Sequence, residues 1–135
     1  MILHNGESLA YIGDAVYELE IRKYLLEKGY TDVNKLHKYA VKFTSGESQA
    51  QIIDFLIANN EVTEEEISYF KRGRNSGHSK NRRSISVVSY KKATGFEAMI
   101  GYLYLSNQSD RLEELLKRII EIVEEGLAWQ KTTQS

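Results

Sequence analysis

Apolar residues recur at three- and four-residue steps along nearly the whole chain, and no proline interrupts them. The pattern is that of helices, without the strongest helix breaker. Leu9, Ile12, Val16 and Leu19 form one stripe, and Ala10, Gly13, Tyr17, Ile21 and Tyr24 a second. The first helix is therefore apolar around much of its circumference and is expected at the centre of the fold. Gly29 suits the left-handed cap that ends it. Asp32 opens a second helix through Leu36, Tyr39, Ala40 and Phe43. Thr44 with Glu47 reads as a capping box for a third, through Ile52, Ile53, Leu56 and Ile57; Thr63 with Glu66 repeats the signature before a helix that carries Ile67 and Phe70 and stops at Gly73. Helices from about Ser89 to Leu105 and from about Asp110 to Glu125 follow. The stretch Ile85–Tyr90 alternates loosely enough to allow a short strand. With 135 residues, one all-α domain is expected over 1–128, with a frayed tail over 129–135.

Two segments far apart in sequence, Tyr11–Arg22 and Ala93–Leu105, each set one carboxylate among small and apolar residues. Asp14 lies between Gly13 and Ala15; Glu97 lies between Phe96 and Ala98, with Ala93 and Gly101 one turn away on either side. If the helices cross at these small residues, Asp14 and Glu97 meet in one partly buried, acidic pocket. Two ionised carboxylates at close range raise each other's pKa unless a cation joins them, so a divalent metal is called for. The chain has no cysteine, and His4, His37 and His78 lack ligand spacing. Any metal is then a hard, oxygen-bound ion. On pattern alone, the alternative for Asp14 is a helix carboxylate bonded to a tyrosine or paired with Lys or Arg.

The formal net charge of −1 hides a polarised distribution. Residues 71–92 hold eight of the eighteen Lys and Arg and no acid, leaving ten to face all nineteen acids. A cationic island on an acidic protein points to a polyanion that docks at one place. Arg72, Arg74, Lys80, Arg82 and Arg83 can meet phosphates, while Asn75, Ser76, His78 and Asn81 suit sugar or base edges. Lys35, Lys38 and Lys42, on one helix face, form a weaker second track. The alternative is a solvated excursion that aids solubility. No segment approaches the roughly 20 apolar residues of a membrane span, and the N-terminus lacks a basic region followed by an apolar one. A cytoplasmic protein that does not enter membranes is expected.

The segment YIGDAVYELEIR resembles the signature helix of the ribonuclease III catalytic domain, where an aromatic, an aliphatic, Gly, Asp and Ala occur in that order. ATGFEAMIGYLYL resembles that domain's second acidic helix. No appended double-stranded-RNA-binding domain is expected after the second motif's following helix. With Phe70-Lys71-Arg72-Gly73-Arg74-Asn75, it is most similar to the bacterial form that is a catalytic domain alone, Mini-ribonuclease III. The resemblance implies an all-helical homodimer that cleaves double-stranded RNA with Mg2+ (Mn2+ as a substitute) and trims the ends of the large-subunit (23S) ribosomal RNA precursor. It makes Asp14 and Glu97 the essential metal-binding, catalytic carboxylates. Larger family members carry acids where this chain has Ala10 and Thr94, so the metal shell is thinner. Glu7 reaches the same face only if the first helix begins early, and is not assigned to the site.

The expected chemistry is hydrolysis of a phosphodiester by metal-activated water, with no protein nucleophile. The island would hold double-stranded RNA by shape and backbone. A catalytically inert RNA-binding module of the same fold is the alternative function, and a helical protein-interaction domain a third. Glu18 and Glu20 are expected to pair with Arg22, Lys23 or Tyr24 on the helix surface. The acidic last helix is expected to be a solvated face.

Overall fold

A computed structural model describes residues 4–76 and 85–129. Six helices follow one another: α1 Gly6–Glu27, α2 Val33–Thr44, α3 Gly46–Ala58, α4 Glu64–Arg74, α5 Val87–Leu105 and α6 Ser109–Glu124, with a final 3-10 turn, Leu127–Trp129. No strand occurs among the described residues, and the fold is all-α. The short strand considered for Ile85–Tyr90 is replaced by the start of α5. Ser86 is extended (ψ 158°) and its hydroxyl accepts from the Ser89 N–H at 3.1 Å, a cap that overrides the β preference of Val87 and Val88.

Two other helices, α2 and α4, start where their side-chain caps predict. Asp32 caps α2, and Thr63 and Glu66 form a reciprocal capping box on α4, at 2.9 and 3.0 Å. The cap of α3 differs from expectation. Ser45, not Thr44, accepts from the Ser48 N–H at 3.1 Å, while Thr44 closes α2 by donating to the Ala40 carbonyl. One extended residue, Ser45, both ends α2 and begins α3. Helix α4 ends at Arg74, one residue past Gly73. A Cβ on Gly73 would collide with Ala98, Gly95 and the Thr94 carbonyl on α5. The glycine thus also serves close approach of two helices at the end of α4.

The central helix is α5, not α1. It packs against α1, α3, α4 and α6 and buries Phe96, Ala98, Met99, Ile100 and Leu103 completely. Along α1, Leu9, Val16, Tyr17, Ile21 and Leu25 face that core, whereas Tyr11, Leu19 and Leu26 stand 84%, 58% and 55% exposed. Leu19 therefore departs from the expected stripe. An apolar all-round helix has here one face inward and one apolar strip outward. Tyr17 ties three helices together: its ring meets Phe96 edge-on at 4.9 Å and its hydroxyl donates to the Phe43 carbonyl at 2.9 Å. Burial and the Glu18 carboxylate push this phenol up, so it stays a neutral donor.

The last helix is clamped by ions as well as by Leu115, Leu116, Ile119 and Ile122. Arg111 grips the buried Glu66 carboxylate at 2.7 and 2.9 Å and reaches the Glu61 carbonyl, and Arg118 grips the Glu61 carboxylate at 2.6 and 3.0 Å. Burial pushes Glu66 up, but the Arg111 guanidinium and the Thr63 N–H outweigh it and hold the carboxyl below its ordinary value. Glu124 joins Lys28 and Tyr24 at the far end. The acidic helix is thus only partly a solvated face. Glu18–Arg22 and Glu20–Lys23 form the expected surface pairs, at 3.3 and 3.8 Å.

Candidate active site

The geometry of the site begins with two glycines. A Cβ on Gly13 would overlap the Glu97 carbonyl, and one on Gly101 would overlap the Leu9 carbonyl. The backbones of α1 and α5 therefore touch where the sequence places small residues, as the pattern predicts. Asp14 and Glu97, adjoining this crossing, line one cleft of about 720 Å³. Glu97 is half-buried and Asp14 exposed.

Two further carboxylates line the same cleft. Helix α1 begins at Gly6, early enough for Glu7 to reach it, and Glu47 arrives from the first turn of α3. Moving the cap to Ser45 turns Glu47 from a capping residue into a cleft residue. Arg74 and Lys91 bring the positive charges, and Gln49, Ser76, Tyr90 and Thr94 add polar groups. Glu7, Glu47, Gln49 and Lys91 were not assigned to the site from sequence. Of these only Glu7, at two turns from Asp14, carries a local signal; the others come together by packing.

Among the described residues, no three His, Asp or Glu side chains converge closely enough to form a complete metal cage. The donor set still suits a hard ion. The acids are all carboxylates, two of them flank the glycine crossing, and the cleft has volume for several waters. Mg2+ commonly uses one or two carboxylates and keeps waters for the rest of its shell.

The end of α4 forms one wall. Arg74 lies over the Phe70 ring at 5.5 Å and donates to the Asn75 side-chain oxygen at 3.2 Å. Arg72 lies over Tyr69 at 4.6 Å and donates to the His4 carbonyl at 3.2 Å. Ser76 donates to the Gly73 carbonyl at 2.7 Å and lines the cleft beside Arg74. Arg72 instead lines a smaller adjoining recess with Glu7 and Ser76. His78, Lys80, Asn81, Arg82 and Arg83 lie outside the described residues. Lys35, Lys38 and Lys42 are exposed on α2 and do not line the cleft.

Comparison with known proteins places the chain as a whole in one family. A family model described as the Ribonuclease III domain matches residues 7–108. The chain is 43% identical over 122 residues to a protein named Mini-ribonuclease 3 in Acholeplasma laidlawii, covering 90% of this chain and 96% of that one. It is 48% identical over 119 residues to the Mini-ribonuclease 3 of Clostridium tetani, covering 87% of this chain and 78% of the relative. A crystal structure of a Fusobacterium nucleatum protein superposes with a TM-score of 0.75 at 40% identity, covering 92% of this chain and 94% of that one.

Proposed function

The chain belongs to the ribonuclease III family, among its Mini-ribonuclease 3 members, and from that premise we propose that it cuts double-stranded RNA at the Asp14–Glu97 cleft with the help of a Mg2+ ion. Family membership makes it an endoribonuclease and sets aside the inert RNA-binding module and the protein-interaction domain. The observation that carries the site assignment is the α1–α5 crossing, which brings carboxylates 83 positions apart in sequence to one cleft. Asp14 and Glu97 would hold the ion, Mn2+ being an acceptable substitute. Bound there, it supplies Lewis acidity that makes water a nucleophile near neutral pH and offsets charge on the phosphate.

The chain's own residues do the rest. Arg74 and Ser76 line the wall beside the carboxylates, where a phosphate can be held close to them. Arg72, Asn75 and the basic residues His78, Lys80, Arg82 and Arg83, with Asn81, extend this contact along the RNA backbone, which is read by shape more than by sequence. Ala10 and Thr94 also line the cleft. The two positions that lack the acids of larger relatives thus open on the same space, which leaves Asp14 and Glu97 as the residues that would hold the ion there.

One chain supplies one such cleft, so cutting both strands in one encounter needs two copies. The exposed Leu19 and Leu26 on α1 support a homodimer joined through this face, whose two-fold axis matches that of a duplex. The resemblance supports the 23S ribosomal RNA precursor as the natural target and the cytoplasm as the location; no described helix is long and apolar enough to cross a membrane. The test is incubation of the purified protein with an end-labelled RNA duplex, its single strands and the matching DNA duplex, with Mg2+ or chelator. Staggered, Mg2+-dependent cuts confined to the RNA duplex are expected; cutting of single strands alone would refute the reading.

A further inference from the structure

Among the described residues, one buried side-chain polar atom lacks a hydrogen-bond partner, the Oε1 of Gln49, and Gln49 lines the cleft that holds Asp14 and Glu97. The side chain is 2% exposed, and its amide orientation is fixed because Nε2 donates to the Thr44 carbonyl at 3.1 Å. Reversing the amide would set oxygen against oxygen, so the unpaired atom is the acceptor. A buried acceptor without a donor is costly and calls for a partner that arrives. Phosphate and ring oxygens of a nucleic-acid backbone only accept hydrogen bonds; the ribose 2′-hydroxyl is the one backbone group that donates, and it is the group that tells RNA from DNA.

We propose that Gln49 is a specificity-determining residue, whose Oε1 accepts a hydrogen bond from a ribose 2′-hydroxyl of the duplex seated in the cleft. This rests on the duplex-RNA reading of the same cleft. The Nε2 bond to Thr44, at the α2–α3 junction, holds the acceptor in place before substrate arrives. The oxygen is closed to a water-sized group in the free protein, so the duplex must part the side chains around it to bring the hydroxyl to it. The same loss of the bond on a deoxyribose would leave the acceptor unpaired, which disfavours DNA.

The test couples the protein to single atoms of the substrate. Binding of an all-ribose duplex, and of duplexes carrying one 2′-fluoro sugar at each position in turn, is measured with cleavage-deficient Asp14→Asn protein, with and without Gln49→Met. A 2′-fluoro sugar keeps A-form geometry and removes the donor, so the substrate series leaves folding of the protein untouched. At one or two positions, the fluorine is expected to weaken binding about three- to tenfold when Gln49 is present and to have no further effect with methionine. Equal effects of fluorine in both proteins at every position would overturn the proposal, as would a uniform loss with methionine, which would indicate an ordered water or a purely structural amide. Failure of the parent protein to bind the all-ribose duplex at all would instead defeat the duplex-RNA reading itself.

Discussion

Replacing Gly13 with alanine adds one methyl group where α1 meets α5, and its Cβ falls inside the contact distance of the Glu97 carbonyl. In an ordinary helix interior this change would stabilise by about 0.5–1 kcal/mol, since glycine is the poorer helix former. Here the obstacle is backbone on the central helix, which cannot swing away as a side chain would. Overpacking costs about 1–3 kcal/mol, and with a rigid obstacle the upper end applies. The net expectation is a loss of about 2 kcal/mol, or a Tm lower by about 8 °C for a chain of this size. Circular dichroism melts and urea unfolding read the loss directly. Gly101→Ala strikes the Leu9 carbonyl at the same crossing, so the double variant should lose less than the sum of the two: once the helices are parted, the second methyl finds room. The carboxylates adjoin this crossing, and a displacement of about 1 Å should also cut cleavage on the order of a hundredfold. An alanine at position 13 that leaves Tm unchanged or higher would refute the crossing.

Arg111→Met removes the guanidinium from a Glu66 that is 3% exposed and should cost about 3 kcal/mol in urea unfolding, since a buried carboxylate loses its partner. Glu61, Glu66 and Glu124 all titrate below their ordinary value of 4.5 in the folded chain. Their contribution is complete above that value and is lost as pH falls through the lowered values, so Tm should drop on acidification below about pH 4.5, and less steeply in Arg111→Met. A Tm that rises on acidification would contradict the assignment. Neutralising Arg72, Arg74, Arg82 and Arg83 together should weaken duplex binding and reduce its log–log salt slope by up to about four; an unchanged slope would remove these residues from the RNA contact. Leu19→Glu with Leu26→Glu should convert a dimer to a folded monomer in light scattering, and a wild type already monomeric at micromolar concentration would rule out the proposed pairing.

Most of the helical framework was legible because the signals are local. The capping box at Thr63 and Glu66 and the cap at Asp32 need only neighbouring residues to form. Ambiguity arose where one residue type serves two ends. Gly73 reads from sequence as a stop, and only the arrival of α5 shows that it also serves close approach. Thr44 and Ser45 can each cap a helix, and their choice depends on where α2 ends. Leu19 shows a different limit: periodicity defines a face but not what covers it. For the site, Gly13 beside Asp14 and Gly101 one turn after Glu97 announced a crossing. Glu47, Gln49 and Lys91 gave no comparable signal, because their place in the cleft comes from how α3 and α5 pack.

The most direct test of the central claim, that Asp14 and Glu97 hold the ion that drives cleavage, compares wild type, Asp14→Asn and Glu97→Gln on one end-labelled RNA duplex. Cleavage and duplex affinity are measured in parallel over a Mg2+ titration. Each substitution should reduce cleavage at least about a thousandfold, in keeping with the loss of a metal-activated nucleophile, and leave duplex affinity within a fewfold of wild type. Near-wild-type cutting by either variant, or cutting by wild type that persists in excess chelator, would contradict the account.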